Sequence, residues 1–245
     1  MNTKTSHTDN ILAKEESSVT LAKSFDLIDL LVVIVGVSLY IYVARIWQPT
    51  YMVKSATKAL AFVVLPLVSS YLLRQDISWL RLRMDRTEVK KYLIRVLLIA
   101  AAVISFLLLI SETLNEFFRV AKIIDEVKNR TNASRQLVLA SLVYISVVNS
   151  FMEEVYFRGF LLVRLEGRYG YRPASWISAL LFAAYHLITF RSWFSPPLLL
   201  LVLSALTFAG LVLNHITIRY RSLLPVWFIH ALMNFTIFTV ILPYI

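Results

Sequence analysis

The 245-residue chain is 58% hydrophobic and 16% charged, with a formal net charge of +10. So apolar a composition is unusual for a soluble domain and predicts an integral membrane protein. The absence of cysteine excludes disulfides, a thiol nucleophile and a cysteine-based metal site. The positive charge does not indicate nucleic-acid binding, because the basic residues fall in short segments between apolar runs, the pattern of a polytopic membrane protein.

A polar segment, residues 1–26, precedes the apolar runs and predicts a disordered cytoplasmic tail. A helix needs about 20 apolar residues to cross the hydrocarbon core of a bilayer. Seven segments fit, so we predict an all-α transmembrane helix bundle. The predicted spans are residues 27–47, 56–73, 92–110, 137 to as far as 165, 174–190, 197–218 and 223–241.

The most basic loop follows the second span and orients the predicted bundle. Its cationic residues are Arg74, Arg81, Arg83, Arg86, Lys90 and Lys91. The positive-inside rule places this loop in the cytoplasm, so the N-terminus lies inside and the C-terminus outside. Residues 111–136 then lie outside, as an amphipathic helix or as a short eighth span.

Ionisable and amide side chains concentrate in the C-terminal half. The fourth span contains Asn149, Glu153, Glu154 and Arg158, the fifth contains His186, and the seventh contains His230 and Asn234. Such groups are costly at membrane depth and indicate a functional site. The cations of the first three spans, such as Lys58, lie nearer the span ends, where we expect them to snorkel to the interface.

Helix spacing separates the two adjacent carboxylates. Glu154 and Arg158 are four residues apart on one helix face, so we predict that they form an ion pair. Glu153 lies about 100° around the helix from Glu154. We therefore expect Glu153 to stay out of that pair and to be free to act as a base.

Three helices could bring these groups to one polar pocket suited to peptide hydrolysis. Glu153 would deprotonate a water that His186 shares or orients. His230 and Asn234 would donate hydrogen bonds to the oxyanion that develops on the scissile carbonyl. Glu153, His186 and His230 could instead bind zinc with an open position for water, although the HExxH signature is missing.

Other interpretations of the same residues stay open. Each polar pair could be structural glue between helices, and intramembrane charges also mark ion paths in transporters and channels. No pair of Gly/Pro-interrupted spans in matching halves supports a transporter. Polar groups that occur together on three helices favour a site over isolated packing contacts.

The polar residues form three motifs in a fixed order. They are EExxxR at residues 153–158, FxxxH at residues 182–186 and HxxxN at residues 230–234. Here the sequence resembles the CAAX protease and bacteriocin-processing (CPBP) family of intramembrane proteases, also called the Abi family. The resemblance covers residues 137–241, and we expect residues 137–245 to form the catalytic core and residues 27–136 an N-terminal membrane region.

The resemblance implies a multi-pass intramembrane endopeptidase of the cytoplasmic membrane. It assigns water activation to Glu153 with His186, places Glu154 beside Arg158, and gives His230 and Asn234 the oxyanion site. We expect a glutamate mechanism without a metal, with zinc as the alternative.

The implied partners are the lipid bilayer and a membrane-associated peptide or protein substrate, and no nucleic acid. Eukaryotic relatives remove the last three residues of prenylated CAAX proteins, whereas bacterial-type relatives are associated with bacteriocin self-immunity and peptide maturation. The compact chain resembles the second group. The alternative is a non-catalytic membrane scaffold or immunity protein that keeps the polar network without using it for hydrolysis.

Overall fold

The structure, a computed structural model, describes residues 27–47, 50–82, 111–118 and 134–242, with scattered positions between 92 and 109. These residues form helices and turns without a strand, which confirms the all-α prediction. The predicted tail, residues 1–26, and eight of the 19 positions of the predicted third span lie outside the described residues. So does most of the predicted outer segment after position 118.

Seven helices are described with continuous bounds. They are α1 (Leu27–Trp47), α2 (Tyr51–Leu72), α3 (Ser111–Phe118), α4 (Arg135–Tyr169), α5 (Tyr171–Phe190), α6 (Pro196–Tyr220) and α7 (Leu224–Ile241). Helices α1, α2, α4, α5 and α6 are long and apolar enough to cross a membrane, and α7 contains a shorter apolar stretch. A multi-pass membrane protein is therefore confirmed.

Helix α4 is longer than its sequence pattern predicted. It has 35 residues, or about 52 Å at 1.5 Å per residue, which exceeds the hydrocarbon core of about 30 Å. Its first turn is capped by Ser134, whose hydroxyl accepts from the backbone N–H of Leu137 at 3.3 Å. The helix stops at Gly170, where a φ of +81° turns the chain into α5.

The centre of α4 forms the core of the described bundle. Residues 152–162 are all buried. Phe62 of α2 stacks on Tyr156 with ring centroids 4.3 Å apart, and it meets Phe157 edge-on at 5.7 Å. These aromatic contacts fix the middle of α2 against the middle of α4.

Helices α5 and α6 pack closely against each other. A Cβ added at Gly210 would lie 3.0 Å from the Cβ of Ala179. One turn further along α6, the amide of the buried Asn214 donates to the backbone oxygen of Ser175 at 2.8 Å. The close approach and this interhelical hydrogen bond fix α5, which carries His186 near its C-terminal end.

The ends of α2, α4 and α6 meet at one end of the bundle. Arg164 donates to the backbone oxygen of Asp76 at 3.2 Å, and Arg221 pairs with Glu166 at 3.0 Å. The N–H of Leu223, just before α7, donates to the backbone oxygen of Arg81 at 2.8 Å. The positive-inside analysis placed these segments on one side of the membrane, and which side faces the cytoplasm stays a prediction.

Candidate active site

The two adjacent carboxylates lie in a short α-helical segment of α4 between two π-helical segments. The flanking segments are Ile145–Asn149 and Val155–Leu162. Glu153 is 2% exposed, and Glu154 and Arg158 are fully buried. Because a π-helical turn is wider than an α-helical turn, it changes the direction in which neighbouring side chains project, and such segments are frequent at functional sites.

Glu154 is held by one cation of its own helix and by the imidazole of α7. Arg158 Nη1 donates to Glu154 Oε1 at 3.0 Å, which confirms the ion pair predicted from helix spacing. His230 Nδ1 lies 2.6 Å from the same oxygen. Since a carboxylate oxygen can only accept, Nδ1 of His230 carries the hydrogen. This contact joins α7 to α4 and leaves His230 Nε2 3.6 Å from Glu153 Oε2.

One side-chain oxygen of Glu153 has hydrogen-bond donors near it on both α4 and α5. The side-chain amide of Asn149 donates to Glu153 Oε1 at 2.8 Å. The hydroxyl of Tyr185, on α5, lies 3.5 Å from the same oxygen. These contacts engage Oε1, so Oε2 is the oxygen that faces His230.

His186 lies beside this site with a defined tautomer. Its Nδ1 is 2.7 Å from the backbone oxygen of Phe182, an acceptor, so Nδ1 donates and Nε2 of the neutral ring has a free lone pair. The Phe182 ring lies 4.7 Å from the ring of His186 and 5.8 Å from that of His230, between centroids. The half-buried imidazole of His186 can therefore accept a hydrogen bond from a water at the site.

Asn234, predicted to donate to an oxyanion, donates in this structure to a backbone oxygen. Its amide donates a long, 3.4 Å hydrogen bond to the backbone oxygen of Ile145 on α4. That bond ties α7 to the π-helical segment that precedes Glu153. The assignment of Asn234 to an oxyanion site stays a prediction.

The part of the chain that carries the motifs matches a known family. Residues 135–236 match the family described as Rce1-like, type II CAAX prenyl endopeptidase. This segment is Rce1-like. The match confirms the resemblance drawn from the three motifs, all of which it contains, and it supports an intramembrane endopeptidase of the CAAX type. No curated protein and no solved structure matches the chain.

Lys58, which lies outside the Rce1-like segment, belongs to the site, contrary to the expectation from sequence. Lys58 of α2 is 2% exposed, and its Nζ lies 2.5 Å from Glu153 Oε1. The expectation that Lys58 snorkels to the interface is therefore wrong. Glu153 stays out of the pair with Arg158, as expected, but it forms an ion pair with Lys58 instead. Packing of the middle of α2 on α4 directs the ammonium to the carboxylate.

Two further contacts of the site were missed or left open by sequence reasoning. Asn149 lies four residues before Glu153. From the sequence, a hydrogen bond to the Glu153 carboxylate and a packing role between helices were equally compatible with that position. Tyr185 gave no signal beyond its position next to His186. The i, i+4 spacing on α4 was the one pattern that pointed to Asn149.

The zinc alternative with Glu153, His186 and His230 as ligands stays a prediction. Among the described residues, no group of three or more His, Asp or Glu side chains is placed to hold a metal ion. The Lys58 ammonium contacts Glu153 Oε1, and the Nδ1 atoms of both histidines are engaged as donors. Glu153 Oε2 and the Nε2 atoms of the two neutral rings are the atoms that would bind a metal ion.

Proposed function

We propose that the protein is an intramembrane endopeptidase that hydrolyses a peptide bond with water activated by Glu153. The observation that carries the proposal is the meeting of Glu153 and His230 across α4 and α7, with Nε2 3.6 Å from Oε2 inside the Rce1-like segment. His186 supplies a second ring nitrogen beside this pair. Carboxylate and imidazole are the groups that a metal-free water-activating site requires.

The proposed reaction uses the two oxygens of Glu153 differently. Oε1 is engaged by neighbouring donors, and Oε2 accepts a proton as water attacks the scissile carbonyl carbon. His186 Nε2 orients that water by accepting its second hydrogen. The proton on Glu153 then passes to the leaving amine as the peptide C–N bond breaks.

The oxyanion would be stabilised by the side chains of α7. Glu154 fixes the His230 ring through Nδ1 and leaves Nε2 facing Glu153. Because Nδ1 already carries a hydrogen, Nε2 would donate to the oxyanion from the imidazolium form of the ring. Asn234 would exchange its long bond to Ile145 for the oxyanion, a stronger acceptor because it is charged. These two roles rest on the family resemblance together with the placement of α7.

The substrate we propose is a membrane-associated protein or peptide, because the reacting groups lie within apolar helices. Peptide maturation and bacteriocin self-immunity remain the proposed biological settings, and the cytoplasmic membrane the proposed location. These proposals come from the resemblance to bacterial-type relatives.

A non-catalytic membrane scaffold is the second candidate function. The ion pair between Lys58 and Glu153 is the observation that favours a scaffold. A buried carboxylate that takes no part in catalysis is stabilised by a paired cation, and Glu153 has one. The two candidates differ in whether peptide termini change when the proposed base is removed.

The deciding experiment compares membrane peptides from cells that carry the wild-type gene, Glu153→Gln, His186→Phe or His215→Phe. His186→Phe keeps an aromatic ring against Phe182 while removing Nε2, and His215 is an exposed histidine of α6 that serves as the matched control. We expect a set of new peptide termini in cells with the wild type and with His215→Phe. The same termini should be absent with Glu153→Gln and with His186→Phe.

Protein abundance in the membrane is measured in parallel, because Glu153→Gln leaves the Lys58 ammonium without its carboxylate. His186→Phe leaves that ion pair intact and so separates loss of chemistry from loss of fold. Identical termini in all four strains, at equal protein abundance, would remove the protease proposal and support the scaffold.

A further inference from the structure

The charges around the candidate base do not balance within the Rce1-like segment. Glu153 and Glu154 are adjacent and buried, and Arg158 bonds to Glu154. Among the described residues of the matched segment, no other Lys or Arg is seen in contact with either carboxylate. A buried carboxylate without a counter-ion is strongly destabilising, so a second cation from outside the segment would stabilise Glu153.

Lys58 supplies that cation through a closed set of three contacts. Its Nζ lies 2.5 Å from Glu153 Oε1 and 2.5 Å from Asn149 Oδ1, and the Asn149 amide donates to Glu153 Oε1 at 2.8 Å. The carbonyl oxygen of Asn149 thus faces the ammonium while its NH₂ faces the carboxylate. Each member of the set has the partner that its chemistry requires.

The surroundings of Lys58 hold the ammonium in place. Nζ lies 4.8 Å from the ring centroid of Tyr185, 5.4 Å from that of Phe62 and 5.7 Å from that of Tyr40. The faces of aromatic rings attract a cation, most strongly where water is excluded. Helices α1, α2 and α5 thus form one aromatic pocket around a cation that bonds to α4.

We propose that Lys58 is the positioning residue of the Glu153 base. Its ammonium and the Asn149 amide bind Oε1, which fixes the carboxylate plane and leaves Oε2 directed to His230 and to the attacking water. The inference rests on the function proposed above and adds a specific residue from outside the matched segment. A misplacement of about 1 Å in a reacting group can lower a rate by about 100-fold, so anchoring of this kind acts on the chemical step.

The kinetic test uses purified protein in proteoliposomes and an internally quenched, prenylated CAAX peptide as the probe. The variants are Lys58→Met, which keeps the length of the chain without the charge, Lys58→Arg, which keeps the charge, and Lys54→Met. Lys54 lies one turn earlier on α2, is half-buried and serves as the matched control.

We expect Lys58→Met to lower kcat by about 100-fold with KM changed by less than about threefold, since the residue acts on the base and not on substrate binding. Lys58→Arg should recover about tenfold of that loss, because a guanidinium retains the charge with altered geometry. Lys54→Met should keep the wild-type kcat. A Lys58→Met enzyme with wild-type kcat would overturn the proposal, and so would a loss confined to KM.

A second measurement tests the anchoring without any substrate. Thermal unfolding in detergent is compared for Lys58→Met, Glu153→Gln and the double variant. Each single change leaves one buried group without its partner, so both should lower Tm, and the double variant should be more stable than either single variant. Additive losses in the double variant would show that the two residues are not coupled and would overturn the proposal.

The two measurements separate the inference from the function on which it rests. Stability coupling together with a wild-type protein that cleaves no probe and produces no new termini in cells would count against the proposed function and still support the anchoring of Glu153 by Lys58. Cleavage by the wild type together with additive stability losses would support the protease and remove Lys58 from it.

Discussion

Glu154 has an incomplete set of hydrogen bonds for a buried carboxylate. Both Arg158 and His230 bond to Oε1, while Oε2 and the Nε and Nη2 atoms of Arg158 have no hydrogen-bond partner among the described residues. Buried polar atoms without partners cost stability, and an ion pair of this kind is weak evidence for a stabilising role. The arrangement is better explained by what it does to His230, whose tautomer and ring direction it fixes.

Removal of the Glu154 charge gives the first test at the scale of single residues. Glu154→Gln leaves the buried guanidinium of Arg158 without a counter-ion, so we expect the free energy of unfolding to fall by about 3–5 kcal/mol. The control is Glu166→Gln, which breaks an ion pair of the same 3.0 Å length with Arg221, whose side chain is 56% exposed. That change should cost at most about 1 kcal/mol.

Chemical denaturation in detergent micelles measures both free energies under one condition. Equal losses for the two glutamine variants would mean that burial does not distinguish the two ion pairs. The role assigned to Glu154 would then lose its physical basis.

Single residues also show where sequence reasoning succeeded. The pair of Glu154 and Arg158 was predictable because both residues belong to one helix and their spacing fixes their relative direction. The contact of Lys58 with Glu153 joins residues 95 positions apart. Hydropathy shows that α2 is a membrane span, but it does not show which face of α2 meets α4. For a lysine in such a span, the sequence alone predicts only that the side chain snorkels to the interface.

At the scale of whole helices, Gly159 decides how α4 meets the start of α7. A Cβ added at Gly159 would lie 3.1 Å from Trp79 Cε3, 3.3 Å from the Trp79 backbone oxygen and 3.3 Å from Leu223 Cδ1. Leu223 directly precedes α7, the helix that carries His230. The glycine that follows EExxxR therefore lets two neighbouring segments approach the helix that carries the carboxylates.

A matched pair of glycine substitutions tests this packing. Gly159→Leu inserts a side chain where backbone and ring atoms already lie, so we expect a loss of about 1–3 kcal/mol in the free energy of unfolding. We also expect cleavage to weaken as α7 shifts. Gly167→Leu, at an exposed position of the same helix, replaces a poor helix former and should not destabilise the protein.

The measurements are unfolding in detergent and the termini comparison used for the base variants. A Gly159→Leu protein as stable and as active as Gly167→Leu would contradict the close packing of α7 on α4.

The extent of the helices shows why some features of the fold were not predictable. Apolar composition located α1, α5 and α6 to within a few residues, but α2 begins at Tyr51 and α4 extends from Arg135 to Tyr169. Polar residues such as Lys54 and Arg168 marked predicted ends, yet both lie inside helices. Bilayer hydropathy reports where a helix is apolar and not where its backbone hydrogen bonding stops.

At the scale of the molecule, the candidate site is built across the boundary of the family match. The base lies in the Rce1-like segment and its counter-ion in α2, and the aromatic pocket around that counter-ion includes a ring from α1. The division into a catalytic core, residues 137–245, and an N-terminal membrane region, residues 27–136, stays a prediction. The first two spans contribute to the site directly.

The contacts at one end of the bundle and the basic residues found there together predict the orientation of the bundle in the membrane. The residues at one end include Arg81, Arg164 and Arg221, so the positive-inside rule assigns that end to the cytoplasm. The loop between α5 and α6, which contains Ser192, must then lie on the opposite side because α5 spans the membrane once.

Because the natural sequence has no cysteine, single cysteines report this orientation without background. Ile77→Cys and Ser192→Cys both replace exposed loop residues at opposite ends of the bundle. A membrane-impermeant maleimide should label Ser192→Cys in intact cells and label Ile77→Cys only after the membrane is opened. The reverse pattern would invert the protein, and labelling of both positions in intact cells would mean that one of the helices between them does not span.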